Sequence, residues 1–210
     1  MADVGDVDVL AYDSTHFESY AALADTLRPV IERHDDVVLV AESFAGPLGV
    51  LLAHRHPRRV RGLVMAASFV RALPFSRIGA TLLQGMPAVA PPLFALERLL
   101  AGSGLPAPLR AEFEAIIATL PLAILRQRAM AALRVDVTTE LAALDIPVLY
   151  LQARHDRLIW PKAGRDVIRL SRNARHAVID APHFLFQMSP LPAAAEIGRW
   201  LDGLSGDTRG

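Results

Sequence analysis

Residues 37–57 read VVLVAESFAGPLGVLLAHRHP, and this stretch decides the fold. Its first five residues, VVLVA (37–41), form a continuous run of apolar and mostly β-branched side chains, which predicts a buried strand. The residues that follow predict a helix from about Phe44 to His56, which ends before Pro57. Ser43 therefore lies at the bend between a strand and a helix.

Ser43 has small neighbours, Ala41 and Ala45, two positions away on either side. A sharp, strained strand-to-helix turn needs small residues there, and it pushes the serine hydroxyl clear of the backbone as a candidate nucleophile. The N-terminus of the helix would then offer the Phe44 N–H to a developing oxyanion. The alternative is that Ser43 only caps the helix, since serine is favoured at that position.

Short apolar runs alternate with helical patterns on both sides of this stretch. Such alternation predicts an α/β fold with a mostly parallel sheet and helices on both faces. Residues 71–140 contain seven prolines and no strand-like run, so we predict a helical cap inserted into a core of residues 1–70 and 141–210. The remaining strands are predicted at VDVLA (7–11), RGLVMAA (61–67), PVLYLQA (147–153) and RHAVID (175–180), and helices near 19–31, 161–171 and 190–203.

Two further polar residues follow predicted strands. Asp156 comes a few residues after the strand at 147–153, and His183 follows the strand at 175–180. Because the carboxyl ends of parallel strands meet at one edge of a sheet, we expect both side chains to lie near Ser43. A serine nucleophile needs a histidine base and a carboxylate that orients it. Taken singly, Asp156 could cap the next helix and His183 could be a partly buried loop histidine, but the three together favour catalysis.

The chain resembles the α/β-hydrolase superfamily over nearly its whole length. The resemblance implies that Ser43 is the nucleophile, His183 the general base and acid, and Asp156 the orienting partner of His183. It also implies that the Phe44 N–H forms half of the oxyanion hole, and we predict no cofactor and no metal site. The likeness is carried by AESFAG (41–46), ARHDRLI (153–159), APHFLFQ (181–187) and the inserted cap (71–140).

The cap gives the only indication of the substrate. Its apolar side chains would form a water-excluding wall over the site, although most of them must pack onto the sheet. This favours a small hydrophobic ester or thioester as the partner molecule. Perhydrolysis, cofactor-free haloperoxidation and lyase chemistry are alternatives within the enzyme class. The side chains concerned include Met86, Phe94, Phe113 and Met130.

The sequence departs from the superfamily around and before Ser43. Members carry a His-Gly-type loop that supplies a second oxyanion donor, whereas in this chain Gly5 is the only glycine among the 42 residues that precede Ser43. Ala41 also stands where glycine is usual. Glu42 is either bonded near the histidine or directed to solvent, and we expect it to point to solvent.

The missing loop has consequences for both fold and function. In the superfamily its strand pairs beside the nucleophile strand, so we expect either that the strand at 7–11 pairs with 37–41 or, more readily, that the chain is shortened at its N-terminus. Ser14 or Thr15 could substitute as the second donor. A binding protein of the hydrolase fold, without catalysis or with impaired catalysis, is the alternative function.

Composition narrows the class of protein. The 22 basic and 22 acidic residues cancel, so nucleic acid is not an expected partner. The chain has no cysteine, which suits a reducing cytoplasm, and its acidic N-terminus does not match a signal peptide. The uncharged stretch 78–96 contains three prolines, so we expect part of a lid and no stable membrane insertion. The oligomeric state is not predicted.

Overall fold

The computed structural model describes residues 6–13, 15–72 and 92–207. Its strands form one parallel sheet in the order β1-β2-β3-β4, which confirms the predicted fold class. The strands are β1 (Val37–Glu42), β2 (Val60–Ala66), β3 (Val148–Ala153) and β4 (Ala174–Ile179). The helices are α1 (Tyr20–Ile31), α2 (Ala45–Arg55), α3 (Leu93–Leu100), α4 (Ala107–Thr119), α5 (Leu122–Ala132), α6 (Thr138–Ala142), α7 (Pro161–Leu170), α8 (Leu185–Met188) and α9 (Pro190–Asp207).

Helices cover both faces of the sheet, as its apolar strands require. One buried cluster joins the sheet to α1, α2, α6 and α7, through side chains such as Leu27 and Val167. A second cluster joins the opposite face to α8 and α9, and Trp200 is its largest helical member. β2 and β3 are central strands that are buried almost throughout, which explains why their sequences show no polar alternation.

The predicted ends of α1 and α2 agree with the structure because local chemistry sets them. Ser19 caps α1 by accepting a hydrogen bond from the Ala22 N–H at 3.1 Å. α2 begins one residue after its N-cap, Phe44, and its C-cap is His56, just before Pro57. The sharp change from β1 to α2 leaves Ser43 between them, at the carboxyl edge of the sheet.

The prediction of a strand at 7–11 is wrong. These residues adopt no regular structure, and Val7 and Val9 are 78% and 88% exposed. A strand needs a partner for its backbone groups, and this short segment does not pair with β1. Within the described residues β1 is therefore an edge strand, and Val40 on it is 53% exposed.

Helices α3, α4 and α5 lie between β2 and β3 in the chain, within the region predicted as a cap. The segment leaves the core at Arg71 and returns at Asp136, and an antiparallel bridge joins these two residues. The Val137 N–H also donates to the Val70 carbonyl at 2.8 Å, so the two ends of this region lie side by side. Within the described ranges, no helix is both long and apolar enough to cross a membrane.

Candidate active site

Ser43 occupies a strained turn. Its φ is +53°, a left-handed value that costs a residue with a side chain roughly 1–3 kcal/mol. Backbone hydrogen bonds hold this conformation: the Ser43 N–H donates to the Ala66 carbonyl at 2.9 Å, and the Gly46 N–H donates to the Ser43 carbonyl at 3.1 Å. The turn therefore has the geometry that exposes a nucleophilic hydroxyl.

The structure brings the three predicted residues together. The Ser43 Oγ lies 2.7 Å from the His183 Nε2, and the His183 Nδ1 lies 2.8 Å from the Asp156 Oδ2. The side chains of His183 and Asp156 are only 2% and 4% exposed. An ionised Asp156 can only accept, so it fixes the imidazole proton on Nδ1 and leaves Nε2 to accept from the Ser43 hydroxyl.

Asp156 is itself held in place by the loop that follows β3. Its second oxygen, Oδ1, accepts hydrogen bonds from the N–H groups of Leu158 and Ile159, both at 2.8 Å. These two hydrogen bonds fix the orientation of the carboxyl group toward His183. The alternative is that Asp156 caps the helix that begins at Pro161. The two N–H groups that it accepts from belong to its own loop, and that helix has no side-chain cap hydrogen bond.

The predicted oxyanion donor is available at the start of α2. In the part of the chain that the structure describes, the Phe44 N–H makes no hydrogen bond, as expected for an amide before the first helical turn. The predicted substitute Thr15 does not supply a second donor, because both its N–H and its hydroxyl donate to Asp13 Oδ1 at 2.7 Å. The other predicted substitute, Ser14, lies outside the described residues.

The expectation that Glu42 points to solvent is wrong. Its carboxylate accepts hydrogen bonds from the Phe186 N–H at 3.2 Å and from the Gln187 side-chain amide at 3.0 Å, so it binds the segment just after His183. Burial raises the pKa of Glu42 above its ordinary value, although these two hydrogen bonds oppose the effect. An acceptor beside Ser43 thus ties β1 to the loop that carries His183.

Two polar residues behind Ser43 are not foreseen by the sequence reasoning. The buried Ser68 hydroxyl donates to the Ser43 carbonyl at 2.6 Å, and the buried Tyr150 hydroxyl donates to the Ser68 carbonyl at 2.8 Å. Each such bond is worth about 0.5–1.5 kcal/mol, which is similar to the strain at Ser43. The only signal in the sequence is that Ser68 comes two residues after β2, which is the strand that pairs with β1.

An aromatic cluster surrounds the side chain of Phe44. Its ring stacks on Tyr20 with a centroid distance of 4.7 Å and meets the edges of Phe17 and Tyr12 at 5.7 and 6.4 Å. The guanidinium of Arg128, on α5, lies 5.8 Å from the Tyr12 ring centre and 6.0 Å from that of Phe17. A cation–aromatic contact therefore joins the cap region to the segment before α1.

The cap region also contacts the histidine loop. The Phe184 N–H donates to the Leu100 carbonyl at the end of α3, at 2.9 Å, and the Phe184 ring meets Phe113 of α4 edge-on at 5.7 Å. Phe94, which is also expected in the apolar wall, is 73% exposed, and Met86 lies outside the described residues.

Among the residues described, no group of three or more His, Cys, Asp or Glu could hold a metal ion.

Solved structures resemble this chain over most of its length, although no protein-family model and no curated protein matches its sequence. A hydrolase from Pseudomonas aeruginosa PA01 aligns with a TM-score of 0.70 at 17% identity, covering 87% of this chain and 71% of that one. A lipase-esterase related protein from Clostridium acetobutylicum ATCC 824 gives 0.72 at 18%, covering 86% and 75%. A thermophilic esterase from Thermogutta terrifontis gives 0.71 at 21%, covering 90% and 74%. These likenesses confirm the predicted fold.

Proposed function

We propose that this chain, which has the α/β-hydrolase fold, is a serine hydrolase that cleaves carboxylic esters or thioesters. The observation that carries the proposal is the hydrogen-bonded line from Ser43 through His183 to Asp156, drawn from three loops at one edge of the sheet. Esterase and lipase-related proteins among the structural neighbours support the same reaction class.

The geometry suits a two-step acyl transfer. As the Ser43 oxygen attacks the ester carbonyl, its proton moves to the His183 Nε2, and the Asp156 carboxylate stabilises the imidazolium that forms. The Phe44 N–H donates to the developing oxyanion. His183 then returns the proton to the leaving alcohol or thiol, which leaves Ser43 acylated. In the second step His183 takes a proton from water while the water oxygen attacks the acyl carbon, and His183 then returns this proton to the Ser43 oxygen as the carboxylic acid is released.

We propose further that residues 71–140 act as a cap that selects apolar acyl groups. Phe184 directly follows the base His183, and it meets Phe113 of α4, so the cap helices contact the loop that carries the base. Replacing Phe113 with alanine would remove one apolar wall of the proposed acyl site. The expected result is a larger rise in KM for p-nitrophenyl hexanoate than for the acetate. Equal rises for the two esters, at unchanged fold stability, would contradict this role.

Ester hydrolysis by matched variants tests the proposed activity. Wild-type protein should release p-nitrophenol from the acetate or butyrate ester, and Ser43→Ala should reduce turnover by about 10⁶-fold, as loss of the nucleophile does in subtilisin. Ser171→Ala is a matched control, because it also removes a buried serine hydroxyl. Ser171 lies at the C-terminal end of α7, whereas the Asp156 loop precedes the N-terminal end of that helix. Turnover by Ser43→Ala that equals the wild-type rate would contradict the proposal.

A binding protein with impaired catalysis is the second candidate function. One observation favours it: Thr15, a predicted second oxyanion donor, donates both of its hydrogen bonds to Asp13 instead. Loss of one such donor typically lowers turnover about 10²–10³-fold. This candidate predicts that a non-reacting ester analogue raises the melting temperature of the protein, while p-nitrophenyl esters are consumed about 10²–10³-fold more slowly than by a complete site or not at all.

A further inference from the structure

A second strained residue lies beside Ser43 in the sheet. Ala67 has a φ of +45°, and it follows the last residue of β2 just as Ser43 follows the last residue of β1. Glu42 and Ala66 are register partners, so the two left-handed residues are the next pair along the same two strands. Neither is glycine, and positive φ is uncommon for residues with a side chain. Two adjacent strands therefore turn away from the sheet at the same level, each through a strained residue.

Ser68 connects these two turns. It comes directly after Ala67, its side chain is fully buried, and its hydroxyl donates to the Ser43 carbonyl at 2.6 Å. The contact needs glycine at position 46, because a Cβ there would lie 1.8 Å from the Ser68 Oγ and 2.8 Å from its Cβ. The missing side chain of Gly46 is thus the space that Ser68 fills behind the nucleophile turn.

Tyr150 holds Ser68 from the next strand. It lies on β3, opposite Met65 of β2, and its hydroxyl donates to the Ser68 carbonyl at 2.8 Å. Its ring packs closely against α7, where a Cβ on Gly164 would lie 2.5 Å from the ring. Burial raises the pKa of Tyr150 above its ordinary value, so the hydroxyl keeps its proton and remains a donor. The line of contacts runs from β3 through β2 to β1.

We propose that Ser68, held by Tyr150, is a positioning residue that keeps the strained backbone of Ser43 in the conformation that directs its hydroxyl to His183. The role rests on the proposed serine hydrolase activity, in which Ser43 is the nucleophile. The Ser68 hydroxyl donates to the Ser43 carbonyl, so Ser68 acts through Ser43 and not on the substrate. Its removal lets the turn relax, and a shift of about 1 Å at a reacting atom costs on the order of 10²-fold in rate.

The test compares variants by their rate of reaction with a fluorophosphonate at Ser43 and by kcat and KM for p-nitrophenyl acetate. Ser68→Ala removes the hydroxyl, and Ser68→Thr keeps it. Tyr150→Phe removes the second bond of the line and leaves the ring packing intact. Ser171→Ala is the control, since the Ser171 hydroxyl is buried but has no hydrogen-bond partner among the described residues. All rates are measured well below the melting temperature of each variant.

Positioning predicts that Ser68→Ala lowers the labelling rate and kcat about 10–100-fold with KM unchanged, that Tyr150→Phe lowers them less, and that Ser68→Thr restores much of the loss. Ser171→Ala should react like wild type. Labelling of Ser68→Ala at the wild-type rate would overturn the role, and so would a loss that Ser171→Ala shares. If wild-type protein is not labelled, the proposed function fails. A crystal structure of Ser68→Ala then decides the positioning claim alone, which is contradicted if the Ser43 φ stays near its value of +53°.

Discussion

Replacing Gly46 with alanine tests the packing behind the turn at Ser43. A Cβ at this buried position would lie 1.8 Å from the Ser68 Oγ and 3.0 Å from the Met65 Cε. The Met65 methyl is the flexible end of a long side chain and can move aside. Ser68 cannot move without losing its hydrogen bond to the Ser43 carbonyl. We therefore expect Gly46→Ala to strain the core and to displace Ser43.

The cost follows from two terms. Overpacking a well-packed core typically costs about 1–3 kcal/mol. The lost Ser68 hydrogen bond adds about 1 kcal/mol, for a total of about 2–4 kcal/mol in the free energy of unfolding. In a chain of 210 residues each kcal/mol moves the melting temperature by about 2–4 °C, so the expected decrease is about 4–16 °C.

Thermal unfolding followed by circular dichroism measures the effect, with Gly198→Ala as the matched control. Gly198 lies within α9, and a Cβ there would meet no atom within 4 Å. The control should be more stable than wild type by about 0.5–1 kcal/mol, because alanine favours the helix. If Gly46→Ala melts within about 1 °C of wild type, or is stabilised like the control, the close approach of Ser68 to this turn is refuted.

Three further substitutions test the triad, the buried Glu42 and the exposed edge of the sheet. Asp156→Asn should lower kcat by about 10⁴-fold with little change in KM, because His183 loses the partner that fixes its tautomer, and steady-state kinetics would count against this if kcat were retained. Burial raises the pKa of Glu42, so the contribution of this carboxyl to stability should fall as pH rises from its ordinary pKa through the raised one. The melting temperature of Glu42→Gln should therefore rise relative to that of wild type as pH increases from about 4 to about 8. A difference between the two that shrinks as pH rises would contradict burial as the dominant influence on this carboxyl. Val40→Lys on the exposed edge of β1 should reduce aggregation measured by light scattering and leave the melting temperature nearly unchanged; unchanged aggregation would mean that this edge is not the site of association.

The elements of the core could be predicted from the sequence because each has a local signal. The short apolar runs at β2 and β3 predict buried strands, and Ser19 and Pro57 mark helix ends. Ser43, Asp156 and His183 could be brought to one edge by topology alone, since each follows a parallel strand. The distances of 2.7 Å from the Ser43 Oγ to the His183 Nε2 and 2.8 Å from the His183 Nδ1 to the Asp156 Oδ2 could not be predicted, because they depend on loop conformations.

The incorrect and missed predictions concern features that depend on contacts between distant parts of the chain. The run at 7–11 alternates like a strand, but a strand forms only with a partner, and the sequence does not say which segment pairs with β1. The orientation of Glu42 depends on donors from Phe186 and Gln187, which are more than 140 positions away and leave no local signal. Ser68 and Tyr150 belong to no local motif, and only the register of β1, β2 and β3 brings them behind Ser43.

The most direct test of the proposed triad is covalent labelling of the folded protein with a fluorophosphonate, followed by peptide mass spectrometry. We predict a single adduct, located on Ser43, that forms quickly in wild type and is absent from Ser43→Ala. The proposal would be contradicted by folded wild-type protein that takes up no label, or by an adduct on a different serine.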